Sequence, residues 1–121
     1  VTASVERIPI KVAIMNNSYL GMVRQWQEMF YDERYSEVYL SPELPDFVKW
    51  AEAMGCVGIR VESPEEVEPA IALANSINDR SVVVEFRVDA GEKVFPMVPA
   101  GFGNDDVLLH PNQNDRREFL R

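Results

Sequence analysis

The chain has 121 residues, of which 46% are apolar, so it suits one compact domain and is too short for two. Its net charge of −8 disfavours binding to nucleic acid or to an anionic membrane surface, because both would repel it. The single cysteine, Cys56, cannot form an internal disulfide, and no apolar run reaches the roughly 18 residues that a membrane helix needs. We therefore predict a cytoplasmic domain without nucleic-acid or membrane partners.

The first residues bear on whether the chain is a whole protein. It begins at Val1 with neither an initiator methionine nor a residue that caps a helix, as though a helix had been cut through its middle. This start favours the hypothesis that the chain is a fragment of a longer protein.

The first two predicted elements are a strand and a helix. Residues 10–15 (IKVAIM) are nearly all apolar, which predicts a strand buried on both faces, as in a parallel sheet covered by helices. From Gly21 onward the apolar residues recur at a helical spacing, and they form one broad stripe: Met22, Val23, Trp26, Met29 and Phe30. The opposite side of this helix, with Arg24 and Gln25, is expected to face solvent, and residues 31–40 are predicted to be a loop.

The second half of the chain repeats this alternation. Pro45 is predicted to lie in the first turn of a second helix that stops at Gly55, and a short strand is predicted over 57–61. Ser63, Pro64 and Glu66 have the spacing of a capping box and predict the start of a third helix.

A third strand over 81–88 completes the order strand, helix, helix, strand, helix, strand. This order predicts an α/β fold with a parallel sheet flanked by helices in three α/β/α layers. Prolines and glycines after Asp89 predict an irregular end.

The most polar segment next to a predicted buried strand is the turn over 16–21 (NNSYLG). Ligands of open parallel sheets bind at the carboxyl ends of the strands, and the start of the following helix favours a phosphate. Asparagine and carbonyl oxygens suit Mg²⁺ when a diphosphate supplies further ligands. The alternative remains that Asn16 and Asn17 only shape the turn and cap the helix. Likewise, Met22 and Trp26 lie on a helical stripe, where such residues usually belong to core packing.

Four segments, in chain order, resemble the large catalytic subunit of the acetolactate synthase family. They are 12–17 (VAIMNN), 20–27 (LGMVRQWQ), 45–49 (PDFVK) with 51–55 (AEAMG), and 95–101 (FPMVPAG). The similarity runs from about Pro9 to Asp106. It implies that residues 1–106 are the C-terminal part of a thiamine-diphosphate-binding domain and that 107–121 form an irregular or disordered tail.

The resemblance implies thiamine diphosphate and Mg²⁺ as cofactors, with FAD bound elsewhere in the parent enzyme. The metal ligands would be the side chain of Asn17 and the backbone carbonyl of Tyr19. The cofactor-binding residues would be Asn17, Tyr19, Leu20, Gly21 and Met22. A channel for substrate or inhibitor would be lined by Met22, Val23, Trp26, Ala100 and Gly101. No catalytic side chain is implied within this chain.

The implied reaction is the decarboxylation of pyruvate and the transfer of its hydroxyethyl group to a second pyruvate or to 2-oxobutyrate, in branched-chain amino acid biosynthesis. The parent would be a homodimer or larger assembly with a regulatory small subunit. Two parts of the family's site, a Gly-Asp-Gly segment and an activating glutamate, are missing from the chain, so the chain alone is predicted to be inactive. It is also expected to lack sheet strands and to expose an apolar patch. Two alternatives remain, which are a sister thiamine-diphosphate enzyme (a pyruvate oxidase or 2-oxo acid decarboxylase) and a non-catalytic α/β binding module.

Overall fold

The computed structural model describes residues 1–40 and 43–109. In this part of the chain, three parallel strands lie between helices. The elements in chain order are α1 (Thr2–Val5), β1 (Lys11–Asn16), α2 (Gly21–Phe30), α3 (Phe47–Ala53), β2 (Val57–Val61), α4 (Pro64–Ser76) and β3 (Val82–Arg87). The strand order is β1-β3-β2, and both pairings are parallel. The predicted three-layer α/β fold is therefore confirmed.

The two faces of the sheet are covered by different helices. On one face, Ala70 and Ala74 of α4 pack with Val61, Val82 and Val84 to form the main apolar core. On the other face α3 approaches very closely, because a Cβ at Gly58 would be only 2.7 Å from the Val48 carbonyl oxygen. Both helices pack on β2 and β3.

The prediction that β1 is buried on both faces is wrong for this chain. β1 is an edge strand, and α3 and α4 lie over its neighbours, so its apolar side chains face solvent and Met15 is 65% exposed. An apolar groove of about 580 Å³ runs beside it, lined in part by Ala13, Phe86 and Ile71. Exposed apolar surface of this kind agrees with the expectation that sheet strands are missing.

The local start and stop signals of the helices are mostly as predicted. The capping box at Ser63 and Glu66 is present, and Gly55 ends the α3 segment with a left-handed φ of 78°. Pro45, however, is not in the first turn of α3. The cap of that helix is Asp46, whose carboxylate accepts hydrogen bonds from the Val48 and Lys49 N–H groups.

The described residues after β3, 88–109, have no regular element, as predicted. One antiparallel bridge joins Met97 to Leu108. The predicted tail over 107–121 lies outside the described residues except for its first three.

Candidate functional site

The turn between β1 and α2 lies at the carboxyl edge of the sheet, and its two asparagines hold it in shape. The Asn16 side-chain oxygen accepts a hydrogen bond from the Ser18 N–H at 3.0 Å, and that of Asn17 accepts one from the Tyr19 N–H at 3.0 Å. Both asparagines therefore shape the turn, as one interpretation of the sequence proposed. Neither caps α2 by a side-chain hydrogen bond, because the N-cap residue is Leu20.

The two oxygens predicted as metal ligands have capacity for a further partner. An amide oxygen accepts two hydrogen bonds, and the half-buried Asn17 Oδ1 receives one from the Tyr19 N–H. No backbone N–H of the described residues donates to the Tyr19 carbonyl. The Tyr19 ring is engaged elsewhere, since it packs at a tilt against Tyr39, with 5.1 Å between centroids, and its centroid lies 4.9 Å from the Arg24 guanidinium carbon.

The start of α2 lies directly beside these oxygens. Leu20 has no side-chain acceptor for the first N–H groups of the helix, so these groups can bind an anion. A Cβ on Gly21 would be 3.0 Å from the Asn17 Nδ2, so the glycine lets the Asn17 amide lie against the helix start. The structure thus places Asn17, Tyr19, Leu20, Gly21 and Met22 in one continuous stretch, with Leu20 and Met22 exposed.

A network of charged side chains lies under this turn, and the sequence interpretation did not identify it. We call it the rim cluster, and its members are Asn16, Asp46, Arg60, Glu85 and Arg87. Glu85 is only 1% exposed and binds Asn16 Nδ2 at 2.6 Å, Arg60 Nε at 2.8 Å and Arg87 Nε at 2.9 Å. Arg60 continues the network to Asp46 at 2.7 Å. The cluster therefore connects all three strands to the cap of α3.

The carboxylates of the rim cluster are kept ionised by their partners. Burial would raise the pKa of Glu85, but hydrogen bonds from Asn16 and Arg60 and the positive charges of both arginines outweigh it, so that this pKa lies below its usual value. The pKa of Asp46 is also lowered, mainly by the Lys49 N–H. The sequence carries a signal for this network, because a glutamate within VVVEFRV and an arginine within VGIRV are charges in otherwise apolar strands.

A polar cleft of about 340 Å³ opens beside the rim cluster. It is lined by residues from the turn, the segment before α3, and the ends of β2 and β3: Asn16, Ser18, Tyr39, Leu44, Pro45, Asp46, Arg60 and Arg87. Asn17 is not one of the lining residues, although it lies between two that are. The cleft and the predicted metal ligands therefore share the same turn at the carboxyl edge of the sheet.

The apolar stripe of α2 is a surface and not a core. Met22 and Val23 are each 47% exposed, while Trp26 is half-buried and packs on Phe30 with 4.9 Å between ring centroids. These three predicted channel residues therefore lie side by side and are accessible. Ala100 and Gly101, the other two, are exposed in the irregular segment after β3, where Gly101 has a left-handed φ of 88°.

The polar side of α2 is covered, which contradicts the expectation that Arg24 and Gln25 face solvent. Residues 89–98, which we call the strap, cross this side of the helix. Gln25 is 2% exposed, and its side-chain amide donates to the Val94 carbonyl at 3.0 Å and accepts from the Val94 N–H at 2.7 Å. Arg24 donates to the Ala90 carbonyl, and Lys93 pairs with Glu28. α2 therefore turns its polar side inward to the strap and its apolar side outward.

Gln25 is expected to be the main anchor of the strap. A Gln25→Glu substitution removes the donor to Val94 and buries a charge, and an unsatisfied buried group costs about 1–3 kcal/mol. Hydrogen exchange of the strap amides is expected to speed up. Gln27→Glu is a matched control, because Gln27 makes the same two-way contact with the Ser36 backbone in an exposed loop. If the strap amides exchange at the same rate in both variants, Gln25 is not the main anchor of the strap.

Two further features are absent from the described residues. None of their helices has the length and apolar character to cross a membrane. None of their His, Cys, Asp and Glu side chains form a group of three that could hold a metal ion.

The chain is similar to known proteins of one enzyme family. Residues 1–86 match the family described as thiamine pyrophosphate enzyme, C-terminal TPP binding domain. The chain is 57% identical over 109 residues to an acetolactate synthase of Mycobacterium avium, which covers 88% of the chain and 18% of that relative. It is 46% identical over 110 residues to the acetolactate synthase isozyme 3 large subunit of Escherichia coli, which covers 89% of the chain and 19% of the relative. The chain thus spans about a fifth of the length of these relatives.

The family match covers well over half of the chain and includes β1, β2, α2, the turn with both asparagines and β3 as far as Phe86. This chain therefore belongs to the thiamine pyrophosphate enzymes, as part of their C-terminal cofactor-binding domain, and its similarity is to acetolactate synthases.

Proposed function

We propose that the chain is part of an acetolactate synthase large subunit and that its β1–α2 turn holds the Mg²⁺ and the diphosphate group of thiamine diphosphate. The observation that carries the proposal is the juxtaposition of the Asn17 Oδ1, the Tyr19 carbonyl and the uncapped start of α2. Mg²⁺ prefers such hard oxygen ligands, and a helix start favours the diphosphate.

The oxygen donors of this chain fit Mg²⁺ in kind but not in number. Mg²⁺ takes about six oxygen ligands in near-octahedral geometry, whereas Asn17 and Tyr19 supply one each. The remaining ligands would come from the diphosphate, water and a residue outside this chain. We therefore propose that the chain alone binds the cofactor weakly and turns over no pyruvate.

The residues of this chain would bind the cofactor and orient it. The cofactor supplies an electron sink for decarboxylation of a 2-oxo acid. Leu20 and Met22, exposed beside the helix start, would lie along the cofactor and exclude water from it. Gly21 would keep Asn17 in place, because no side chain pushes its amide away.

The exposed side of α2 would form one wall of the substrate channel. Met22, Val23 and Trp26 offer an apolar surface next to the cofactor turn, which suits the short aliphatic parts of pyruvate and 2-oxobutyrate. Ala100 and Gly101 would close the channel from the segment that follows the strap. We further propose a cytoplasmic parent enzyme of branched-chain amino acid biosynthesis. It would be a homodimer or larger assembly with a regulatory small subunit, and it would bind FAD outside this chain.

The test is cofactor binding by the full-length protein that contains this chain. Asn17→Ala is expected to weaken the binding of Mg²⁺ and thiamine diphosphate by more than the 10–100-fold that loss of an indirect metal contact costs. Asn78→Ala, at an exposed asparagine near the opposite edge of the sheet, is the control and is expected to bind as the wild type does. Isothermal titration measures both variants, with the isolated chain as a third sample.

Two results would contradict the proposal. If the full-length wild type does not bind the cofactor, or if Asn17→Ala binds it as tightly as the control, the turn is not the metal site. Micromolar affinity in the isolated chain would show that the missing ligands are not needed.

A further inference from the structure

The contacts of Asn16 differ from those of Asn17 in a way that suggests a separate role. Asn16 is buried at the end of β1, and both ends of its amide are used. Its Oδ1 accepts from the Ser18 N–H at 3.0 Å, and its Nδ2 donates to the Glu85 carboxylate at 2.6 Å. Asn16 therefore joins the turn that contains Asn17 to the buried centre of the rim cluster on β3.

Glu85 is a fixed point for this contact. Its side chain is 1% exposed, and the two arginines bind it from β2 and from its own strand at 2.8 and 2.9 Å. A carboxylate with three such partners has little freedom to move, and charge-assisted hydrogen bonds are stronger than neutral ones. The turn is thus tied, through Asn16, to a carboxylate whose oxygens are already bound by side chains of the rim cluster.

We infer that Glu85 and Asn16 are positioning residues, which hold the Asn17 Oδ1 and the Tyr19 carbonyl at the spacing that the metal requires. The inference rests on the function proposed above. Ser18 has a left-handed φ of 61°, a conformation that is uncommon in non-glycine residues. The hydrogen bond from the Ser18 N–H to the Asn16 Oδ1 stabilises this conformation. Ser18 lies between the two proposed ligands in the chain.

The experiment compares three variants of the full-length protein, in which Mg²⁺ and thiamine diphosphate are the probes. Asn16→Ala removes the link but leaves Glu85 paired with both arginines, so the fold should persist. The dissociation constant of the cofactor is expected to rise about 10–100-fold, while KM for pyruvate at saturating cofactor changes little. In the cofactor-free protein, hydrogen exchange at residues 17–20 should become faster.

The second variant, Glu85→Gln, separates positioning from stability. Its amide oxygen can still accept from Asn16 and Arg87, whereas its amide nitrogen faces Arg60 without an acceptor. The thermal midpoint is expected to fall, while cofactor affinity stays within about threefold of the wild type, far less than the loss in Asn16→Ala.

The third variant, Val84→Ala, is the matched control. Val84 precedes Glu85 on β3, but it points into the core on the opposite face. This variant should lose stability without any change in cofactor affinity. The inference is overturned if Asn16→Ala binds the cofactor within twofold of the wild type, or if Val84→Ala weakens binding equally. If the wild type binds no cofactor, both the proposed function and this inference fail. If the wild type binds it and Asn16→Ala binds it equally well, only the inference fails.

Discussion

Replacing Arg60 by methionine is expected to destabilise the fold by about 2–3 kcal/mol. Methionine keeps much of the apolar stem but removes the guanidinium that binds Glu85 at 2.8 Å and Asp46 at 2.7 Å. Removal of one partner of a buried ion pair typically costs about 3–5 kcal/mol, because the other charge is left uncompensated. A smaller loss is expected here, since Glu85 retains Asn16 and Arg87. The measurement is the unfolding midpoint of the full-length protein.

Arg80→Met is the matched control for this substitution. Arg80 contacts Asp79 at 2.9 Å, a distance like those in the rim cluster, but both side chains are more than half exposed. Exposed ion pairs contribute about 0–1 kcal/mol, so the midpoint should hardly change. Similar shifts of the unfolding midpoint in the two variants would mean that the burial of Glu85 does not strengthen its ion pair with Arg60.

The pH dependence of the Arg60→Met effect follows from the direction of the Glu85 shift. The pKa of this carboxyl lies below its ordinary value of 4.5 in the folded wild type, so its contribution to stability is present above that pH and is lost as the pH falls through the folded value. In the variant, burial is opposed by fewer partners, and the pKa is less depressed. The stability gap between wild type and Arg60→Met is therefore expected to be widest near neutral pH and to narrow below about pH 4.5.

Elements with local signals could be predicted from the sequence. The run over 10–15, the capping box at Ser63 and the stop at Gly55 each depend on neighbouring residues, and each was found where the pattern placed it. The order of the elements was then sufficient to predict the parallel sheet. The position of the turn with Asn17 at the carboxyl edge followed from the same order.

Features that depend on distant residues could not be predicted in this way. The apolar pattern of β1 indicates a buried strand but does not say which segment covers it, and α3 and α4 cover the other two strands. The side of α2 that faces inward was predicted wrongly, because its cover is the strap, in which Val94 lies 69 residues after Gln25. Asn16 and Glu85 are also 69 residues apart, so their contact appears only in the folded chain.

Gly58→Ala is expected to disturb the packing of α3 and, through it, the wall of the polar cleft. A Cβ at this position would lie 2.7 Å from the Val48 carbonyl oxygen and 2.9 Å from the Val48 Cα, both of which are backbone atoms that cannot rotate away. The helix would have to move outward, and overpacking of this kind typically costs about 1–3 kcal/mol. The shift should also strain the contact between Asp46, which caps α3, and Arg60.

The control for this substitution is Gly103→Ala, where the nearest atom to a new Cβ is 3.7 Å away. Alanine fits there without displacement, and the change should be neutral or slightly stabilising because it restricts the unfolded chain. Thermal unfolding of the two full-length variants should therefore differ by several degrees. In addition, both Gly58→Ala and Arg60→Met should weaken the Asp46–Arg60 contact. The loss of stability in the double variant should therefore be smaller than the sum of the losses in the two single variants. Strict additivity would mean that α3 can move without breaking the Asp46–Arg60 contact.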